Sequence, residues 1–320
     1  MKGALLPLPY GFRSSFRTRF QSIELKQMPT PTSSLQAFVA TATKAARMAA
    51  REINRAAEDR DLLEISDKAA NDFVTSADKA AESVIIRELM SAYPHHAVLS
   101  EEAGRTGDSK SDYLWIIDPI DGTTNFIHGL PQYCVSIALT FRGEPIVAVI
   151  YDVAKNELFT AAKGQGAKLD DRRIRVSETD EMRRSLIGTG FPFRRGCDFD
   201  GYLAGFRRVA ERSAGIRRPG SAALDLAWVA CGRYDGFWEL KLNPWDICAG
   251  GLLVLEAGGL ITDLEGGENW LESGNVCAGN PKIFAQLLPL VGTIKAEPAE
   301  NAEKPEAKAP RRTLSTKKSE

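Results

Sequence analysis

The sequence has few of the residues that bind soft metal ions. Its 320 residues include five cysteines and three histidines, and no two cysteines form a C-x-x-C pair. Scattered cysteines in odd number favour reduced thiols over a disulfide framework. The histidines, His95, His96 and His128, lack the spacing of a metal-binding pair. The composition argues against a zinc ribbon and predicts a protein of the cytoplasm.

A strong net charge is also missing. The chain has 41 basic and 42 acidic residues, which give a formal charge of -1. This balance argues against a general electrostatic attraction to nucleic acid or to an anionic membrane, although a local basic patch stays open. No apolar run reaches the roughly 18 residues that span a bilayer. We therefore expect no membrane partner.

The two ends differ from the middle in composition. Residues 1–34 carry five basic residues against one acid, with prolines in their only apolar stretch, which disfavours a secretory signal. We predict a disordered extension there, while an organellar presequence and a start at Met28 stay open. Residues 291–320 are rich in Ala, Glu, Lys and Pro, a mixture that cannot offset the entropy of ordering and predicts a disordered tail. The folded domain is expected at 35–290.

Apolar periodicity in this domain changes along the chain. Residues 35–57 and 78–94 have helical spacing, and short apolar or alternating runs separated by turn signals follow them. Strands are predicted at 113–118, 133–141, 145–153, 157–162, 185–192, 235–240, 260–264 and 275–280, and helices at 199–214, 221–232 and 243–259. Gly164 and Gly166 lack the third glycine of a nucleotide loop and predict a hairpin turn instead. This order predicts an α+β or layered αβ fold.

The stretch WIIDPIDGTTNF, residues 115–126, places two acids three residues apart after an apolar run. Pro119 fixes the backbone, and Gly122 permits a tight turn that returns the Asp121 carboxylate and the Ile120 carbonyl toward Asp118. Clustered carboxylates repel one another unless a cation lies among them, and hard oxygen ligands select Mg²⁺ or Mn²⁺ over Zn²⁺. The alternative is an ordinary turn with solvated aspartates.

More acids follow the ends of other predicted elements. Glu101 and Glu102 come after a short apolar run, and Asp246 lies at the start of a predicted helix. Asp78 also precedes a helix. Each of these two aspartates has a simpler alternative role as a helix cap. The repeated placement of acids at element ends nevertheless favours a metal site.

DPIDGTTNF (118–126) together with WDICAGG (245–251) resembles the paired signature of the inositol monophosphatase family. The resemblance extends over about 35–290 through VTSADKAAE, SEE, RRPGSAALDLAWVACG and FWELKLNPWD, and it is closest to the bacterial extragenic-suppressor branch. It implies a layered αβαβα sandwich and a homodimer. It also implies Mg²⁺-dependent, Li⁺-sensitive hydrolysis of myo-inositol 1-phosphate by direct attack of an activated water.

The resemblance also implies roles for individual residues. Two ions would be bound, the first by Glu101, Asp118 and the Ile120 carbonyl and the second by Asp118, Asp121 and Asp246. A third, weaker ion is implied near Glu101, and Mn²⁺ is expected to substitute for Mg²⁺. The expected catalytic residues are Asp78, Thr123 and Glu101, and the expected substrate contacts are the Gly122 and Thr123 amides, Ala222, Glu239 and Asp246.

The substrate stays open at this point. The same chemistry on fructose 1,6-bisphosphate, histidinol phosphate or a nucleotide is one alternative. A mainly non-catalytic role with RNA polymerase in ribosomal RNA transcription, using the surface and the Arg-rich residues 207–218, is another. Two departures from the family pattern stand out: Ser100 precedes Glu101 where glycine is commoner, and Lys241 stands where many relatives have glycine.

Overall fold

The structure, a computed structural model, describes residues 32–58, 63–69, 72–192 and 198–292. Most of the predicted extension and tail lies outside these ranges, as does Cys197. In chain order the elements are α1 (Thr32–Glu58), β1 (Ile65–Ala69), β2 (Asp72–Thr75), α2 (Ser76–Ala92), β3 (Ala97–Ser100), β4 (Gly104–Gly107), β5 (Tyr113–Asp121), α3 (Thr123–Ile127), β6 (Cys134–Phe141), β7 (Glu144–Asp152), β8 (Glu157–Ala162), β9 (Gly166–Leu169), β10 (Arg172–Arg173), β11 (Leu186–Thr189), α4 (Phe199–Ala210), β12 (Gly215–Arg217), α5 (Ala222–Ala230), β13 (Gly236–Glu239), α6 (Pro244–Glu256), β14 (Leu260–Thr262), α7 (Trp270–Ser273), β15 (Val276–Gly279) and α8 (Pro281–Val291).

Two large sheets organise the described residues. The first has the strand order β10-β9-β8-β7-β6-β5-β3-β4, and the second has the order β12-β11-β13-β15-β14. Strands β5 to β8 form the antiparallel meander that their alternating runs predict. Strands β3 and β5 are parallel, so their carboxyl ends meet at one edge of the first sheet.

Helices cover both faces of each sheet. The alanine-rich stripe of α1 packs with α2 on one face of the first sheet. Helices α5 and α6 fill the space between the two sheets, since their buried residues share one core with strands of both. Helices α4 and α8 cover the outer face of the second sheet. The layers are therefore αβαβα, and the predicted fold class is confirmed.

The observed elements match most of the predicted ones, with several additions. The predicted turn at Gly164 and Gly166 is confirmed, because it joins the paired strands β8 and β9. The β1–β2 hairpin, the short strand β12 and helix α8 had no counterpart in the predicted elements. Among the described residues, no helix combines the length and apolar character needed to cross a bilayer.

Candidate active site

A β-bulge at the end of β5 brings two aspartates to one face of the sheet. Residues three apart in a regular strand point to opposite faces. Asp118 pairs with Ser136 and Asp121 pairs with Cys134, so β5 contains one residue more than β6 between these pairs. The extra residue restores a common side for both carboxylates and turns Ile120 into the core beneath α1 and α2.

Asp121 is held by the amino-terminal end of α5. Its Oδ2 accepts hydrogen bonds from Ser221 Oγ at 2.6 Å and from the Ala223 amide at 2.7 Å. The Ala222 amide also bonds to this carboxylate and, with Ser221 and Ala223, opposes the increase that burial causes in its pKa. Ala222, which the resemblance implies to lie beside the substrate, thus also supports Asp121 through its backbone.

Asp78 and Asp246 occupy equivalent positions in two helices. Both are the third residue of a capping box, so the N-caps are Thr75 and Asn243. Thr75 N donates to Asp78 Oδ2 at 2.8 Å, and Asn243 N donates to Asp246 Oδ2 at 2.7 Å. The alternative role as a helix cap is therefore confirmed for both aspartates, although neither is itself the N-cap. Each aspartate uses one oxygen to support its helix and has a second oxygen for other contacts.

Three of these carboxylates form a compact cluster. One oxygen from each of Asp118, Asp121 and Asp246 lies within 4.8 Å of the other two, and all three residues are buried. Burial, followed by repulsion from Glu101, Asp121 and Asp246, raises the pKa of Asp118 well above its usual value. Burial also raises the pKa of Asp121. A cation bound at the cluster would offset the burial and the repulsion that disfavour the charged carboxylates. An all-oxygen donor set fits a hard divalent metal.

Glu101 lies directly after β3, beside the end of β5. Its amide donates to the Ile117 carbonyl at 3.2 Å. After burial, its negative charge is a further cause of the raised pKa of Asp78, Asp118 and Asp121, although it lies outside the three-carboxylate cluster. A cation near Glu101 would offset this repulsion.

The chain between Gly122 and Asn125 forms one wall of the candidate site. Gly122 has φ 101°, and a Cβ there would lie 2.8 Å from the Gln132 carbonyl oxygen, so only glycine fits. Thr123 Oγ1 lies 3.2 Å from Asp78 Oδ1 and 3.0 Å from the Ile120 carbonyl oxygen. The side-chain Nδ2 of Asn125 donates to the Gln132 and Pro219 carbonyl oxygens at 2.8 Å each. Helix α3 is thereby tied to the loop that leads into α5.

The opposite wall comes from the second sheet. Glu239 ends β13, next to the end of its parallel neighbour β11. A Cβ on Gly190 would overlap the Glu239 carboxyl, so the missing side chain makes room for that acid. Burial, followed by the negative charges of Glu239 and Asp121, raises the pKa of Asp225 well above its usual value.

Sequence reasoning missed several supporting residues. Glu82 Oε1 accepts hydrogen bonds from Ser100 Oγ and from the Glu102 and Ala103 amides at 3.1 and 3.0 Å, which holds the loop that carries Glu101. An available signal was the four-residue spacing from Asp78, because it places both acids on one face of α2. The other missed residues, Thr75, Asn125, Ser221 and Asp225, lie inside the motifs quoted above.

Comparison with known proteins decides the family. A model of the inositol monophosphatase family matches residues 34–296. The chain belongs to this family. A putative Nus factor SuhB of Neisseria meningitidis serogroup B is 49% identical over 254 residues, which cover 79% of this chain and 97% of that protein.

Solved structures agree with this family. The extragenic suppressor protein suhB of Bartonella henselae superposes with a TM-score of 0.78 at 43% identity, covering 80% of this chain and 98% of that one. The inositol monophosphatase of Anabaena sp. PCC 7120 superposes with a TM-score of 0.71 at 39% identity, covering 82% and 98%.

One departure from the inositol monophosphatase pattern has a structural consequence. Lys241, which the family resemblance marks as a position where glycine is expected, has φ 55°, in the left-handed region that favours glycine. Its amide donates to Asn275 Oδ1 at 3.1 Å. The segment between Glu239 and Asp246 therefore keeps a backbone conformation suited to glycine while it carries a lysine.

Proposed function

We propose that the chain is a Mg²⁺-dependent phosphomonoesterase that hydrolyses myo-inositol 1-phosphate to inositol and phosphate. The observation that carries this proposal is the buried cluster of Asp118, Asp121 and Asp246. Its acids come from β5 and α6 and offer only oxygen atoms as ligands. Burial, followed by repulsion from neighbouring acids, raises the pKa of Asp118 well above its usual value. Membership of the phosphatase family supports the same chemistry.

The metal-binding groups in this proposal are those that the resemblance implies. Glu101, Asp118 and the Ile120 carbonyl would hold one Mg²⁺, Asp118, Asp121 and Asp246 a second, and a weaker third ion would bind near Glu101. Bound ions would supply the positive charge that activates the attacking water and stabilises the leaving oxygen. Mn²⁺ has the same preference for oxygen ligands and would substitute.

The protein groups around the cluster would orient the reactants. In the proposed arrangement, the Thr123 hydroxyl donates to Asp78 and its oxygen accepts a hydrogen bond from the attacking water. The Gly122 and Thr123 amides lie at the start of α3, where backbone N–H groups have no partner within the helix, and they would bind the phosphate. Asp78 keeps its own position through Thr75, so the water is held by fixed groups.

Glu239, Ala222 and Asp246 would contact the polyol. A carboxylate at the end of β13 can accept a hydrogen bond from a substrate hydroxyl, while the small Ala222 leaves space beside the ring. We also propose a homodimer. Fructose 1,6-bisphosphate, histidinol phosphate and nucleotides remain alternative substrates, because the groups at the cluster act on the phosphate that all of them share.

The test is phosphate release by the purified protein on myo-inositol 1-phosphate and a panel of these esters, with Mg²⁺ titrated and Li⁺ added. Wild type is compared with Asp121→Asn and with the control Asp112→Asn, which makes the same change at an exposed ion pair with Arg142. We expect Mg²⁺-dependent, Li⁺-sensitive turnover that only Asp121→Asn removes. Absence of turnover on every ester would refute the enzymatic proposal.

A second candidate is an accessory role with RNA polymerase in ribosomal RNA transcription. It is favoured by the curated relatives, which are described as Nus factors. Such a role would use the surface, including the Arg-rich 207–218. Within it, Arg208 Nε donates to the Leu290 carbonyl oxygen and Arg207 pairs with Glu211, whereas Arg217 is exposed and has no ion pair among the described residues.

The two roles separate in the Asp118→Asn variant. Hydrolysis should be lost, while binding to RNA polymerase in a pull-down with purified components, and support of ribosomal RNA synthesis, should persist. A variant that fails in both assays would show that the accessory role is not independent of the acidic cluster.

A further inference from the structure

Asn125 carries a buried side-chain amide that the proposed reaction does not use. It lies on α3, and 7% of its surface is exposed. Its Nδ2 donates to the Gln132 and Pro219 carbonyl oxygens at 2.8 Å each and lies 3.3 Å from the Gly220 carbonyl oxygen. An NH₂ group has two hydrogens, so one of them is shared between two of these carbonyls. The amide therefore joins three segments of the chain at one point.

Two of these three carbonyls also enclose Gly122. A Cβ on Gly122 would lie 2.8 Å from the Gln132 carbonyl oxygen and 3.3 Å from the Gly220 carbonyl oxygen. Gly122 has φ 101° and directly follows Asp121. Asn125 thus binds the two oxygens between which the Gly122 backbone passes. The place of this turn depends on how closely the two oxygens approach each other, and the Asn125 amide sets that spacing.

The loop that Asn125 binds continues directly into the residues that hold Asp121. Ser221 follows Gly220 in the chain, and its Oγ donates to Asp121 Oδ2 at 2.6 Å. The Ala223 amide donates to the same oxygen at 2.7 Å. The turn after Asp121 and the loop before α5 are therefore joined at two points, by the Asp121 carboxylate and by Asn125. Because Gly220 and Ser221 are adjacent, a shift at the second point also displaces the first.

We propose that Asn125 is a positioning residue that fixes the turn at Asp121 and Gly122, and with it the metal-binding oxygen of Asp121. This inference rests on the proposed function and deepens it. Without the Asn125 amide, the Gln132 and Gly220 carbonyl oxygens lose their shared donor and separate, so the turn between them shifts. Asp121 then holds a metal ion less tightly, although all three carboxylates of the cluster are still present.

A double-mutant cycle on Mg²⁺ binding tests this role. Wild type, Asn125→Ala, Gly122→Ala and the double variant are titrated with Mg²⁺, and the apparent Kd is obtained from the rise in Tm. We expect Asn125→Ala to raise this Kd about tenfold, the effect of one hydrogen bond. Gly122→Ala should also raise the Kd, but it should add less in the Asn125→Ala background, because the carbonyls that its Cβ meets are no longer held there.

Two more variants separate positioning from a structural role. Asn280 is another buried residue whose Nδ2 donates to a loop carbonyl, that of Thr179 at 3.0 Å, and Asn280→Ala should lower Tm without changing the Kd of Mg²⁺. Asn125→Ser keeps one donor and should give an intermediate Kd, and it replaces Asn125→Ala in the cycle if that variant does not fold. Additive effects in the cycle, an unchanged Kd in Asn125→Ala, or an equal rise in Asn280→Ala would overturn the proposal.

Failure of the proposed function gives a different result. If wild type binds Mg²⁺ but hydrolyses no ester, the enzymatic proposal is wrong, while coupling between Asn125 and Gly122 in the Kd still supports the positioning role. If wild type hydrolyses inositol 1-phosphate and the two substitutions act independently, the positioning role is wrong and the proposed function stands. Absence of Mg²⁺ binding by wild type would overturn the metal site and the positioning role together.

Discussion

Two ends of the candidate site are built differently: the acids proposed to bind metal, here the metal end, and the wall at Glu239 proposed to contact substrate, here the substrate end. At the metal end, Asp78 and Asp246 are fixed by capping boxes, and Asp121 accepts hydrogen bonds from the start of α5. At the substrate end, Glu239 occupies space left by a glycine, and the Asp225 Oδ1 atom is unpartnered among the described residues. The first end has its acids fixed by the backbone, and the second depends more on side chains.

This difference follows from what each end has to do. A metal site needs several oxygens at set distances, and backbone hydrogen bonds hold carboxylates with little freedom. Substrate selection needs contacts that differ between esters, and side chains from separate segments can change without disturbing the metal ligands. We therefore expect substitutions at the metal end to lower kcat and substitutions at the substrate end to change KM.

The largest expected effect is at Asp118. Asp118→Asn should lower kcat by at least about 10³-fold, since loss of one charge from the cluster removes about 4 kcal/mol of transition-state stabilisation. Glu239→Gln should instead raise KM for inositol 1-phosphate more than it lowers kcat. Steady-state rates at saturating Mg²⁺ measure both. Equal losses of kcat in the two variants would remove the distinction between the ends.

Gly122→Ala should lower kcat by about 10²-fold, because the backbone has φ 101° and a Cβ would lie 2.8 Å from a carbonyl oxygen. Strain of this kind costs about 1–3 kcal/mol and would displace the amides proposed to bind phosphate. Gly143→Ala is the matched control, since Gly143 has φ 85° and open space around its Cβ position. Comparable kcat values for the two variants would argue against a phosphate contact at Gly122.

Much of the metal end could be predicted from the sequence. Its acids follow apolar runs or begin helices, so local pattern and turn chemistry place Asp118, Asp121 and Asp246 at element ends. The family resemblance then predicts that these ends of strands and helices meet at one site. The bulge in β5 was not predictable in this way, because it depends on the register with β6.

The substrate end was harder to predict. Gly190 and Glu239 are far apart in the sequence and meet only because β11 and β13 pair. Asp225 lies in the apolar run LDLAWVA, where an acid suggests burial but not its neighbours. Tertiary contacts of this kind leave no periodic signal in the sequence.

Glu82 is not among the proposed ligands, but it supports the loop that carries one of them, Glu101. Glu82→Ala should weaken Mg²⁺ activation about tenfold, since removal of groups that orient metal ligands costs roughly 10- to 100-fold. The reason is that its carboxylate holds the loop carrying Glu101. Mg²⁺ titration of phosphate release measures this, and Glu82→Gln should retain most of the affinity.

Glu256 offers a matched control for Glu82. Its carboxylate also accepts two loop amides, from Gly164 and Gly166 at 2.7 Å each, in a turn between β8 and β9. Glu256→Ala should leave Mg²⁺ activation unchanged. A similar loss in both variants would mean that the effect of Glu82→Ala is general destabilisation.

The acidic cluster also predicts how pH and Mg²⁺ affect stability. Burial raises the pKa of Asp78, Asp118 and Asp121 in the folded protein above their unfolded value near 3.8. Above that pH the folded state binds more protons than the unfolded state, so metal-free stability should fall as pH rises through the folded pKa values. Mg²⁺ should therefore raise Tm by several degrees more at pH 8 than at pH 5. Differential scanning fluorimetry measures this, and the pH dependence should weaken in Asp121→Asn.

The smallest expected effect is at Lys241, in the segment between the two ends. Its φ of 55° costs roughly 1 kcal/mol for a non-glycine residue, so Lys241→Gly should relieve strain, although glycine also gains entropy in the unfolded chain. We expect a change in Tm of only a few degrees. Arg142→Gly is the matched control, because Arg142 has φ 52° in a turn between β6 and β7. If Lys241 influences substrate choice, only Lys241→Gly should alter the ratio of kcat/KM values for inositol 1-phosphate and phenyl phosphate. Equal ratios in both variants would restrict substrate selection to the groups around Glu239.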